Sequence, residues 1–231
     1  MMTVEDFSNG FDVLAQSYTR ETSGLMEFDE YEKSVFLTQA QNNLVISLYN
    51  NDDCSFEGSE KLRQDLRNLI TTARLKDAQS DKFVNNGYQF ALPVDLLFII
   101  SEYAIFDKAP FCDGDTQVEV VPVRYDEWFK RVKNPFRGPN KRRVLRLDNQ
   151  FESRTRRNTL ICPEGFTPVE YVVKYLKKPS PIILVNLKDE NLTVNGDSNQ
   201  QTCELCEEIH QTILENAVAL AMQRYATASK G

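Results

Sequence analysis

Apolar positions along the first fifty residues recur with the period of a helix. Val4, Phe7, Phe11, Leu14 and Tyr18 are spaced 3, 4, 3 and 4, an amphipathic stripe. Thr3 followed by Asp6 forms a capping box with Asp in the place of Glu. A second helix is expected over Phe28–Asn50, its stripe Leu37, Ala40, Leu44 and Leu48 widened by Phe36, Val45, Ile46 and Tyr49. So wide an apolar face predicts contact with more than one neighbour. A third helix is expected from Ser59, with Leu62, Leu66, Leu69, Ile70 and Ala73 facing inward.

The period then shortens. Gly87–Leu92 and Leu96–Phe106 are rich in aromatic and aliphatic residues, and Gln117–Tyr125 sets Val118 and Val120 against Glu119. These read as strands, broken at Pro93 and at Ala109–Asp115. Val144–Leu147, Thr159–Cys162, Val169–Leu176 and Ile182–Val185 are read as further short strands. Asp126–Val132 is expected as a short helix capped by Asp126, Lys178–Pro181 as a stiff turn, and Asn195-Gly196 as a hairpin turn. Glu204–Tyr225 returns to helix with the stripe Ile209, Ile213, Ala217, Leu220 and Ala221, which needs a partner to cover it. The order helix, strand, helix predicts an α+β chain: a bundle of N-terminal helices plus the C-terminal helix, with an inserted, mostly antiparallel β domain. The expected bounds are 1–80 for the N-terminal helices, 84–200 for the β-rich part with its basic loop, and 202–231 for the C-terminal helix.

Composition narrows the class. The 231 residues are 41% hydrophobic and 26% charged, values of a folded chain that needs no disulfide staples. The longest apolar stretch, near Leu96–Ile100, is too short to cross a bilayer, and the acidic N-terminus does not read as a signal peptide. Five scattered cysteines fit reduced thiols. The single histidine, His210, excludes most chemistry built on histidine, and no phosphate-binding or nucleophile-elbow motif is present. Cys203 and Cys206 form a CxxC without a second pair at zinc-site spacing, so they are read as two thiols near a helix start. His210 is read as a packing residue, and paired acids such as Asp52-Asp53 and Glu207-Glu208 as solvated charge. No catalytic residue, metal ligand or cofactor is expected.

Charge changes the picture most. The net of −7 hides a split: residues 1–60 hold 12 acidic and 2 basic residues, whereas 130–157 holds 11 basic against Asp148 and Glu152, a net of +9. A chain polarised in this way steers the docking of its own copies. Within the basic block lies NPFRGPNKRR, Asn134–Arg143, whose Pro135, Gly138 and Pro139 make a non-helical loop. Arg137, Lys141, Arg142 and Arg143, with Arg146 just beyond, are the candidate contacts to carboxylates or phosphates. Trp128 beside Phe129 precedes the block; stacking on single-stranded nucleic acid is one reading, anchoring in the core the stronger.

EYEKSVFLTQAQ (Glu30–Gln41), KNPFRGPNKRRVLRLD (Lys133–Asp148), YVVKYLKKPSPIIL (Tyr171–Leu184) and CELCEEIHQTILENAVALA (Cys203–Ala221) resemble, in order over nearly the whole chain, a structural protein family of crAss-like tailed phages. The last two also resemble a looser pattern in short-tailed phage connectors. The resemblance implies a virion protein assembled in the host cytoplasm, a head-to-tail connector ring below the portal in the neck. It implies copies of itself, twelve to match the portal, as partners. The portal and neighbouring tail rings, and genomic DNA in the lumen, are implied partners too. Cys206 departs from the expected pattern, which weakens a metal reading of the CxxC further. The alternative is a nucleic-acid-binding accessory phage protein using the 130–157 block.

Overall fold

The computed structural model describes residues 2–19, 27–50, 64–107, 116–152, 155–188 and 191–228. It divides into two units, 1–69 with 178–231 and 70–177. The first carries 20 acidic and 9 basic residues, a net of −11; the second carries 14 acidic and 18 basic, a net of +4.

In the first unit, α1 spans Val4–Thr19 and α2 spans Glu30–Tyr49. Thr3 caps α1 as its spacing predicts: its N–H donates to Asp6 Oδ2 at 2.8 Å and Asp6 N–H donates back to Thr3 Oγ1 at 3.2 Å. Asp29 and Glu32 cap α2 in the same reciprocal way. Phe7, Phe11 and Ala15 make the buried line of α1, while Tyr18 stands 58% exposed at the helix end. The predicted third helix from Ser59 lies partly outside the described residues. Where it is described, a short 3-10 turn ends at Leu69, and Ile70 and Ala73 belong to a strand. The β-branched run Ile70-Thr71-Thr72 favours that outcome.

The C-terminal helix begins with a 3-10 turn at Glu207–Ile209 and continues as α4, His210–Ala228, with α3 being the short helix Trp128–Val132 of the second unit. α4 packs on both α1 and α2. Phe7 meets the His210 ring at 5.4 Å, Phe28 meets Tyr225 at 5.1 Å, and Arg224 donates to Gln39 Oε1 at 2.9 Å. Gly10 is the point of closest approach: a Cβ there would lie 2.7 Å from a Leu214 methyl. The buried face includes Leu214 and Val218, which the predicted stripe omits, and Leu220 is only half-buried.

α2 is unusual in burying polar side chains. Lys33 is 3% exposed and pairs with Asp12 at 2.7 Å and Glu30 at 2.9 Å, and it donates to Ser8 Oγ at 3.1 Å. Burial alone pulls its pKa down, but the two carboxylates outweigh that and hold it above its ordinary value. The next residue, Ser34, with Thr38 and Gln41 one and two turns beyond it, grips the chain at 180–184. Ser34 Oγ accepts from Leu184 N–H, Thr38 Oγ1 bonds both the N–H and the C=O of Ile182, and Gln41 Nε2 donates to Ser180 O. This corrects the expected strand at Ile182–Val185. Side chains of α2 take up the backbone of Ile182 and the N–H of Leu184, Gln200 Nε2 donates to Leu184 O, and only Ile183 forms a bridge, to Gln201. The hairpin signal holds: Asn195 and Gly196, both at positive φ, turn the chain between Val194 and Asp197.

The second unit is an eight-stranded sheet in the order β1-β8-β4-β5-β6-β7-β3-β2. Its strands are Ile70–Leu75 (β1), Gln79–Ser80 (β2), Gly87–Ala91 (β3), Leu96–Phe106 (β4), Gln117–Pro122 (β5), Arg143–Glu152 (β6), Thr155–Ile161 (β7) and Pro168–Lys177 (β8). Every pairing is antiparallel except β5 with β6. β1 and β2 lie at opposite ends of this order, yet only three residues join them. The sheet therefore curls until its ends approach. Contacts across the interior agree, since Phe90 of β3 meets Tyr171 of β8 at 5.4 Å. One core fills the inside of the curl with Phe90, Ala104, Phe106, Val144, Leu160, Tyr171 and Val173. A second, on the outer face, joins Leu145, Leu147 and Ile161 to Trp128 and Val132 of α3. Each large apolar side chain buried in this way stabilises the fold by about 1.5–3 kcal/mol.

Candidate functional site

The basic block departs from the sheet at the end of β5 and returns to it at β6. The short helix of the prediction is present as α3, but its N-cap is Glu127, with no side-chain cap, and Asp126 instead pairs with Arg124 at 3.3 Å. Trp128 and Val132 anchor α3 on the outer core. The core reading of Trp128 therefore holds, and its neighbour Phe129 stands 56% exposed. Lys133 lies 4.0 Å above the Phe129 ring.

The loop after α3 is built by side-chain turns. Asn134 Oδ1 accepts the N–H groups of Phe136 at 2.9 Å and Arg137 at 3.2 Å, and Asn134 O accepts Gly138 N–H at 2.8 Å. Gly138 is buried where a Cβ would sit 2.8 Å from Asn134 O and 2.9 Å from Val132 O. A second turn closes between Asn140 and Arg143, where Asn140 N–H donates to Arg143 O at 2.9 Å and Arg143 N–H to Asn140 O at 3.1 Å. Arg142 N–H donates to Asn140 Oδ1 at 2.8 Å. The Arg143 guanidinium then ties the two turns together by donating to Phe136 O at 2.8 Å.

The five candidate cations separate by environment. Arg137, Lys141 and Arg142 are exposed on the loop and its turn. Arg143 is half-buried and spent on the loop's own backbone. Arg146 is 9% exposed and faces the interior of the curl. Its Nη1 lies 2.5 Å from Glu102 Oε1 and its Nε 3.0 Å from Asp148 Oδ1. The same Glu102 accepts the Tyr171 hydroxyl, which in turn accepts from Asn158 Nδ2 at 3.1 Å. Burial would lower the pKa of Arg146, but Glu102 outweighs it and raises it; burial and Glu102 together push the Tyr171 hydroxyl far up. Strand parity carried the signal for this network. Arg146 shares a face with Val144, Glu102 with Ala104, and Tyr171 with Val173.

The remaining candidates are buried. Cys203 and Cys206 are buried free thiols; burial pushes the first to about 11, and Cys206 Sγ donates to Gln64 O at 3.0 Å. His210 is 1% exposed with Nε2 3.0 Å from Leu205 O. Since a carbonyl only accepts, that nitrogen carries the proton. Among the described residues no group of three or more His, Cys, Asp or Glu is placed to hold a metal, and no helix is long and apolar enough to cross a membrane.

The profile of the phage tail ring protein 3/4 family matches residues 2–231. "Ring protein 3" of Bacteroides phage crAss001 is 37% identical over 228 residues, covering 96% of this chain and 95% of that protein. "Ring protein 4/5" of the same phage is 32% identical over 234 residues, covering 97% and 94%. The chain belongs to the phage tail ring protein 3/4 family of crAss-like phages.

Proposed function

We propose that this ring-family chain builds a closed ring of identical copies in the virion neck. The ring sits below the portal as a head-to-tail connector whose lumen passes the genome. Twelve copies match the portal's symmetry, and the ring is assembled in the host cytoplasm before it joins the particle. Within each copy the N-terminal and C-terminal helices act as one bundle that carries the inserted sheet. The role is mechanical, without a catalytic step.

The observation that carries this reading is the segregation of charge, −11 in one unit and +4 in the other. A ring of identical subunits needs a heterologous contact, in which two different patches meet around the circle. Opposite charge on separate units supplies such a pair and disfavours like-to-like pairing. In this reading the contact is made by Arg137, Lys141 and Arg142, which are exposed on the loop.

Cryo-electron microscopy of purified particles tests it. A closed twelvefold ring of this chain between portal and tail is the expected result. Absence of the chain from the particle, or its presence in one or a few copies, overturns it. A monomeric DNA-binding accessory protein would instead retard duplex DNA with a steep salt dependence and form no ring.

A further inference from the structure

The loop that exposes Arg137, Lys141 and Arg142 also displays apolar surface. Phe136 is 86% exposed, Tyr125 63% and Phe129 56%, all within the segment that carries Arg137, Lys141 and Arg142. Among the described residues no acidic side chain forms an ion pair with Arg137 or Lys141. The loop does not adapt freely, because Asn134, Asn140 and Arg143 fix its backbone and Gly138 is wedged against three carbonyl oxygens. A surface fixed in advance loses little entropy on docking. Phosphate alone accounts for the cations but makes no use of the exposed rings of Tyr125 and Phe136, whereas the Phe129 ring already holds Lys133. A partner that is both acidic and apolar accounts for both.

One exposed helix face in the acidic unit has that chemistry. α1 contains Glu5, Asp6 and Asp12 and no basic residue. Glu5, Asp6, Asn9 and Val13 are exposed along one side of it, with Val13 67% exposed. From Glu5 to Val13 the helix runs about 12 Å, the reach of a single loop. α4 also shows exposed acids, Glu207, Glu208 and Glu215 around its start, but none of its exposed side chains among the described residues is a large hydrophobic one.

We propose that the surface formed by Phe136 with Arg137, Lys141 and Arg142 is the socket for the exposed face of α1 of the neighbouring copy. Phe136 packs on Val13, and the three cations meet Glu5 and Asp6. This rests on the ring reading and specifies which two patches meet in it.

The test uses the full chain, supplied in trans to a phage that lacks it, with purified particles as the readout. Three arms are compared with the parent. Arg137→Glu/Lys141→Glu/Arg142→Glu should fold, checked by circular dichroism, and should enter particles roughly tenfold less or worse, because it sets like charges against each other. Adding Glu5→Lys/Asn9→Lys to that variant should restore entry, since both positions are exposed and neither caps the helix. Benzoylphenylalanine in place of Phe136 should crosslink, on illumination of assembled particles, to a peptide within residues 2–19 of another copy. Unchanged entry of the triple variant overturns the proposal, as does failure of the added lysines to restore entry. So does a crosslink to DNA, to the portal, to another tail protein or to nothing. If the parent chain itself is missing from particles or present in only a few copies, the ring reading fails instead.

Discussion

Arg146 is the member of the basic block whose replacement separates folding from assembly. It lies with 10% of its side chain exposed against Glu102 at 7%, inside the curled sheet. Replacing it with Met keeps the volume of the stem and removes the charge. Glu102 is then left with the Tyr171 hydroxyl as its remaining partner in this network. Removing one member of a buried pair costs about 3–5 kcal/mol, because the surviving charge stays desolvated and uncompensated. Unit 2, Ile70–Lys177, unfolds with roughly 2.1 cal/mol/K per residue near 60 °C, or about 0.23 kcal/mol/K in all. The transition of that unit should therefore fall by about 13–22 °C in Arg146→Met. Glu102→Leu/Arg146→Met should recover most of the loss, since it removes the stranded charge together with its partner. Arg137→Met, on the exposed loop, should move the same transition by no more than about 2 °C. Scanning calorimetry of the three variants gives the answer. If Arg146→Met melts with the parent and yet fails to enter particles, the Arg146–Glu102 pair does not hold the interior and Arg146 faces a partner.

Three further outcomes follow from the same geometry. Thr38→Val strips two hydrogen bonds from the buried backbone of Ile182 and should cost about 2 kcal/mol, whereas Thr38→Ser should stay near the parent; equal denaturant midpoints for both variants would contradict the clamp. Lys33 has a folded-state pKa raised above its ordinary 10.5, so its contribution is complete below that pH and is lost as pH climbs through the raised value; the stability gap between parent and Lys33→Met should close in strongly alkaline buffer, and a gap constant from pH 9 to 12 would refute the pairing. Gly138→Ala drives a Cβ to within 3 Å of two carbonyl oxygens and should destabilise the loop by about 1–3 kcal/mol and reduce entry into particles; wild-type entry and wild-type melting together would show that the loop yields.

The elements that sequence reasoning captured are those in which one period dominates. Leu96–Phe106 falls on the strand's own bounds, and Val4–Tyr18 lies within α1. It failed where polar side chains do the work of backbone. Ser34, Thr38 and Gln41 are invisible to an apolar stripe, yet they bond the backbone of Ser180, Ile182 and Leu184, which leaves only the single bridge of Ile183. It failed again at Ile70 and Ala73, where a helical spacing of apolar residues runs through β-branched positions that pair with β8. The same stretch bears both patterns, and the pairing decides. The loop Asn134–Arg143 was legible as a loop from Pro and Gly. Its stiffness was not, because that depends on which carbonyls Asn134 and Gly138 meet in space.

Charge counting also treats as one block what the fold makes into two. Eleven basic residues stand between 130 and 157, but a count has no parity. From Arg143 onward the chain is a strand, and every second side chain points into the curl, so Arg146 is committed to Glu102 before any partner arrives. Arg157 is likewise engaged, donating to Gln79 and Gln89. Before Arg143 the chain is a loop held by its own asparagines, and there the cations point outward. A change in those exposed side chains leaves the sheet's ladder and both its cores untouched. The fold thus keeps the charge buried inside the sheet apart from the charges exposed on the loop. Replacing an exposed cation of the loop should therefore leave the folded sheet intact, whereas replacing Arg146 should not.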